Sequence, residues 1–85
     1  MASYSLELRK SAAKEVAALP KRECRAVVEK IRALAADPRP HGAEKLSGED
    51  KYRVRHGDYR VVYEIDDDAG RVTIVRVAHR REVYR

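Results

Sequence analysis

The chain has 85 residues, of which 19 are basic and 14 acidic, for a net charge of +5; 44% are hydrophobic, and there is one cysteine and no phenylalanine or tryptophan. A chain this short has material for one core, so a single domain spanning 1–85 is expected, and this apolar content excludes wholesale disorder. A lone Cys24 excludes an internal disulfide, and the basic excess favours a polyanionic partner: nucleic acid, an anionic membrane or an acidic protein.

The opening MASYSLELRKSA lacks the apolar stretch of a secretory signal, and no run of about 18 apolar residues follows, so a cytoplasmic protein without membrane association is expected. YSLEL (4–8) alternates Tyr4, Leu6 and Leu8 with Ser5 and Glu7, the period of a half-buried strand. Ser11 offers an N-cap for the helix formers AAKEVAAL, which stop before Pro20. Pro20 also suits the first turn of a second helix, where Cys24, Val27, Val28, Ile31, Leu34 and Ala35 recur at spacings of three and four. DPRP (37–40) ends it, because proline drives its predecessor out of the helical region.

HGAEKLSGED (41–50) reads as a loop anchored by Leu46. KYRVRH (51–56) and YRVVYEID (59–66) flank Gly57 and Asp58, the spacing of a two-residue hairpin turn with glycine first. DDAGR (67–71) is a second turn leading into VTIVRVA (72–78). The expected fold is α+β, in the order β-α-α-β-β-β, with two N-terminal helices on one face of a mainly antiparallel four-stranded sheet.

Strand side chains alternate between faces, so the register decides which arginines meet. A turn at Gly57 and Asp58 pairs Arg55 with Arg60, Arg53 with Val62 and Tyr52 with Tyr63. Tyr52, Val54, Tyr59, Val61, Tyr63 and Ile65 then face the helices. Lys51, Arg53, Arg55, Arg60, Val62 and Glu64 point the other way. A five-residue loop in the next hairpin pairs Asp66 with Val72, Val62 with Arg76 and Arg60 with Ala78, bringing Arg76 and Arg80 to the basic face and setting Val72 and Ile74 beside them. Like charges directly opposite in a sheet are destabilising by about 0.2 to 1 kcal/mol per pair, so Arg55 opposite Arg60 is unfavourable without an anion.

Arginine forks bind phosphate bidentately and stay charged at any working pH. His41, His56, His79 and Cys24 have no spacing of a zinc site, and DDD (66–68) falls in a turn, so no metal or other cofactor is expected. RNA cleavage needs none, since the 2′-hydroxyl can attack the adjacent phosphate if the site orients the attack, stabilises charge and handles two protons. Tyr84 can stack on a base or exchange a proton. His79 is a second possible proton carrier, although its strand parity turns it toward the helices.

KLSGEDKYRVRHGDYRVVYEI followed by VRVAHRREVYR resembles the RelE/ParE superfamily of toxin–antitoxin toxins, in particular its RelE branch, over nearly the whole chain. The resemblance implies a toxin that enters the ribosomal A site, cleaves the bound mRNA and so inhibits translation, and that an acidic, RelB-like antitoxin holds inactive in a higher-order hetero-oligomer. By motif, the catalytic positions of that family fall on Arg53, Arg55, Arg60, Arg80 and Tyr84. The neighbouring basic residues Lys51, Arg76 and Arg81 are expected to add RNA contacts. Some relatives have lysine, assigned as the proton acceptor, where this chain has Arg53 and Arg55. An arginine with a pKa above about 12 is a poor base, which leaves Tyr84, His79, a ribosomal group or water for that role. The sequence ends at Arg85, one residue past the tyrosine, and on this reading no long C-terminal helix shields the site. Two other readings share the fold: a ParE-like inhibitor of DNA gyrase, and a catalytically inactive antitoxin-binding module.

Overall fold

A computed structural model describes residues 3–46 and 50–79. Strand β1 (Ser5–Leu8) leads into helices α1 (Lys10–Ala17) and α2 (Lys21–Ala36), followed by a two-residue strand β2 (Glu44–Lys45) and a meander of β3 (Lys51–His56), β4 (Tyr59–Asp66) and β5 (Arg71–His79). The sheet order is β1-β5-β4-β3-β2, with β1 parallel to β5 and every other pairing antiparallel. The α+β architecture with both helices on one face is as expected, but the sheet has five strands, not four. The fifth is β2, in the segment expected to be a loop. Two residues are too few to show an alternation, and β2 exists because Glu44 and Lys45 pair with Arg53 and Tyr52. Leu46, the expected loop anchor, is half-buried and donates its backbone N–H to the Lys51 carbonyl at 2.8 Å.

The helices form where strong formers recur, but their starts differ from expectation. Arg9 is the N-cap of α1 and makes no side-chain cap, so Ser11 lies inside the first turn, while Pro20 caps α2 from just outside it. From α1, Ala12 and Val16 reach the core; Val27, Ile31 and Leu34 do so from α2, all against Val54, Val61, Tyr63, Val72, Ile74 and Val77 of the sheet. Each valine, isoleucine or leucine side chain among them contributes about 1.5 to 3 kcal/mol when fully buried.

The β3–β4 hairpin pairs as expected, from His56 with Tyr59 to Tyr52 with Tyr63. Gly57, at φ +57°, supplies the left-handed first turn position that other residues rarely adopt. The β4–β5 hairpin corrects the expected register at its loop end. Asp66 pairs with Arg71, not Val72, so the loop holds four residues, closed by Gly70 at φ +65° and by the Asp66 carboxylate accepting from the Ala69 N–H at 3.0 Å. A bulge between Val62 and Tyr63 absorbs the one-residue slip, and Val62 meets Arg76 and Arg60 meets Ala78, both as expected. A one-residue slip flips every side chain. Val72 and Ile74 are therefore fully buried under the helices instead of lying beside the arginines.

Candidate nucleic-acid interface

On the sheet face away from the helices, cross-strand pairing brings together residues far apart in sequence. One row reads Arg55, Arg60, Ala78; the next reads Glu44, Arg53, Val62, Arg76; a third reads Lys51, Glu64, Thr73. Arg53, Arg55 and Arg60 thus share one patch on two adjacent strands. Its middle is more enclosed than the sequence implied, with Arg60 at 6% exposure, Val62 at 7% and Ala78 at 5%. A charged group held in such surroundings acts on an anion more strongly than one in bulk water, because the local dielectric is lower.

The carboxylates around this patch were harder to foresee than the arginines. Glu44 reaches both Arg53, which donates from Nη2 to Oε2 at 3.1 Å, and Arg55, whose Nη2 lies 3.7 Å from Oε1. Arg76 pairs with Val62 by backbone, but its Nε turns to Glu15 of α1 at 3.6 Å. The other Glu15 oxygen accepts the Val77 backbone N–H at 2.8 Å, capping the edge of β5 past the end of β1. Glu64, opposite Lys51, accepts from Arg9 at 3.3 Å. No motif in the sequence points to Glu15 or Glu44, since each meets its arginine only through tertiary contact.

His79 pairs with Tyr59 and stands edge-on to its ring, centroids 5.8 Å apart, with Nε2 4.0 Å from the Asp58 carboxylate. Its parity turns it to the helix side, apart from Arg53, Arg55 and Arg60. His56 Nε2 lies 3.0 Å from Glu23 on α2. Arg80, Arg81 and Tyr84 lie outside the described residues. Among the described residues, no group of His, Cys, Asp and Glu could hold a metal ion, and no helix is long and apolar enough to cross a membrane.

Away from the patch, the turn after β4 anchors a separate network. Arg39 donates to both oxygens of Asp67, at 3.2 and 2.9 Å, and to the Tyr52 hydroxyl at 3.2 Å, while Tyr4 donates to Asp67 at 2.7 Å. The Arg39 and Tyr4 hydrogen bonds hold the Asp67 carboxyl below its ordinary range, and sharing Asp67 pushes the Tyr4 phenol up. The Tyr63 hydroxyl donates to the Pro38 carbonyl at 2.8 Å, and burial pushes its pKa up to about 12. These bonds fasten the exit of α2 to the sheet.

A family model described as the ParE toxin of type II toxin–antitoxin system, parDE, matches residues 6–84. The chain belongs to the RelE/ParE superfamily of toxins. Within it the similarity runs to the RelE branch. Toxin RelG of Mycobacterium tuberculosis is 35% identical over 86 residues, covering 96% of this chain and 97% of that toxin. The toxin–antitoxin complex RelBE2 of the same organism includes a chain that superposes with a TM-score of 0.80 at 32% identity, covering 91% of this chain and 98% of its own. The isolated Escherichia coli RelE toxin superposes with a TM-score of 0.81 at 29% identity, with 96% and 92% covered. This is a toxin of the RelE type.

Proposed function

We propose that this RelE-type toxin is a metal-independent endoribonuclease that cleaves mRNA in the ribosomal A site and so inhibits translation. The observation that carries this reading is the register of the β3–β4 hairpin, which sets Arg55 directly opposite Arg60 with Arg53 one row away on the same face. Three guanidinium groups in that arrangement suit a phosphodiester, and repulsion between them falls when an anion binds. The 2′-oxygen attacks the adjacent phosphorus, the P–O5′ bond breaks, and the products end in a 2′,3′-cyclic phosphate and a 5′-hydroxyl. Arg60, enclosed and therefore restricted in its rotamers, suits the role of stabilising the negative charge that builds on the phosphoryl oxygens.

Arg80 and Tyr84 complete the site on this reading, Arg80 as a phosphate ligand and Tyr84 by stacking on a base or moving a proton. Lys51, Arg76 and Arg81 extend the RNA contact. The pairing of Arg76 with Glu15 gives it a weaker share than its position in the row implies. The geometry around His79 favours a structural role beside Tyr59 over proton transfer.

An acidic RelB-like antitoxin is the expected neutralising partner, in a higher-order hetero-oligomer. The solved relatives that include RelBE2 of Mycobacterium tuberculosis support this. We also infer a single-domain protein that works in the cytoplasm.

The test is to add the purified protein to ribosomes programmed with a defined mRNA and map the 5′ ends. Cleavage within the A-site codon is expected, and intact mRNA refutes the reading. The match to a model described as a ParE toxin favours one alternative, inhibition of DNA gyrase. A supercoiling assay separates the two, since an RNA-cleaving toxin leaves gyrase unaffected.

A further inference from the structure

We propose that Glu44 is a built-in competitor for the RNA phosphate: its carboxylate occupies the anion position between Arg53 and Arg55, and substrate must displace it to engage both. The inference rests on the RNA-cleaving function proposed above and assigns a specificity-determining residue to that site. Arg53 and Arg55 are two apart on β3, so both side chains leave the same face. Glu44 presents one oxygen to each, Oε2 to Arg53 at 3.1 Å and Oε1 to Arg55 at 3.7 Å. A phosphodiester offers the same pair of anionic oxygens to the same two forks. Carboxylate and phosphate are thus alternative ligands for one pair of donors.

Exposure shows which partner can move. The Arg53 side chain is 13% exposed, whereas those of Glu44 and Arg55 are each 53% exposed. Arg53 is a fixed element, while Glu44 and Arg55 meet solvent on the rim of a cleft of about 680 Å³ beside α2. Glu44 itself stands on an edge strand of two residues, so releasing its side chain disturbs no core packing. Exposed ion pairs of this kind are weak, and the two together hold back phosphate by about three- to tenfold in affinity. That is enough to bias the site against short or weakly held RNA without closing it to a substrate positioned by the ribosome.

The experiment measures binding of a labelled, uncleavable single-stranded RNA, 2′-O-methylated throughout, to the full chain between 50 and 200 mM salt, with wild type, Glu44→Gln, Glu44→Ala and Arg55→Ala compared. Glu44→Gln and Glu44→Ala are expected to bind about three- to tenfold more tightly at low salt, with a log–log salt slope steeper by about 0.7, the increment for one more phosphate contact on a single strand. Thermal melts of the same samples confirm folding. A merely structural role for Glu44 lowers the melting temperature and leaves the salt slope unchanged, which overturns the proposal. So does unchanged or weaker binding by both Glu44 variants while Arg55→Ala still weakens binding. If no variant, wild type included, binds the RNA, Glu44 is not what holds phosphate off and the proposal falls, while the RNA-cleaving reading is decided separately by the programmed-ribosome assay.

Discussion

Replacing Arg60 with methionine should abolish activity while leaving the fold intact. Arg60 stands opposite Arg55 and is enclosed to 6% exposure, with Val62 and Ala78 as its apolar neighbours on the face. Methionine roughly keeps the unbranched length of the side chain and fills the same enclosure; it removes one like-charge pair, worth about 0.2 to 1 kcal/mol, and with it the polar contacts of the guanidinium, worth about 0.5 to 1.5 kcal/mol each. A domain of this size shifts by about 4 to 8 °C in melting temperature per kcal/mol, so with the two contributions opposed the melt should stay within about 8 °C of wild type. Cleavage of A-site mRNA should fall by about 10²- to 10³-fold, the usual loss when one donor to a developing oxyanion is removed. Differential scanning fluorimetry and the programmed-ribosome assay on one preparation give both numbers. Two outcomes refute the reasoning: a melting temperature lower by more than about 10 °C, which makes Arg60 a structural residue, or cleavage at the wild-type rate.

Tyr63→Phe removes the donor to the Pro38 carbonyl and leaves that oxygen without the bond; a loss of about 1 to 2 kcal/mol is expected, read as a drop of about 4 to 16 °C in the thermal melt. The same tyrosine sets an alkaline limit. Its pKa is raised from the ordinary value near 10 to about 12, so its contribution is complete below about pH 10 and is lost as pH rises toward 12. Ultraviolet titration should show the Tyr63 phenol ionising in that window or with unfolding, and Tyr63→Phe should remove its share of the high-pH change. At the acid end the sign reverses for Asp67, whose carboxyl is held low by Arg39 and Tyr4. Its contribution is complete above the ordinary carboxylate pKa and is lost as pH falls through the depressed one, so Asp67→Asn should flatten the acid limb of the stability profile. An unchanged acid limb in that variant counts against the network.

The β3–β4 hairpin was legible because two signals agree on it: Gly57 and Asp58 fix the turn, and the alternation of Val54, Val61 and Tyr63 fixes the faces. With the register set, Arg53, Arg55 and Arg60 follow by arithmetic. The β4–β5 hairpin gave no such agreement, because DDDAG accommodates a four- or a five-residue loop and the two differ by one residue in register. Burying Val72 and Ile74 decides for the shorter loop, and the bulge then returns Arg76 to its place opposite Val62. No local pattern encodes that bulge. The parallel partner of β1 was out of reach for a related reason, since a crossover through two helices leaves no turn to count. Strand β2 and the roles of Glu15 and Glu44 were hidden because they arise from contacts between elements.

Those acidic residues explain how so small a fold tolerates its basic face. Glu44 meets Arg53 and Arg55 on one edge, Glu15 meets Arg76 on the other, and Glu64 meets Arg9 in the third row. Glu44 and Glu15 stand toward the two sides of the face, while Glu64 shares strand β4 with Arg60, which lies between Arg55 and Ala78. A uniformly neutralised face would be more stable and would bind no phosphate; an unneutralised one would repel itself across every row. Arg55 and Glu44 are the exposed members of this patch, each at 53%, so a polyanion gains most by engaging Arg55 from the solvent side and displacing Glu44. On that view the charge pattern selects where along the RNA backbone the strongest contact falls, and repulsion between Arg55 and Arg60 is relieved when a phosphate engages Arg55.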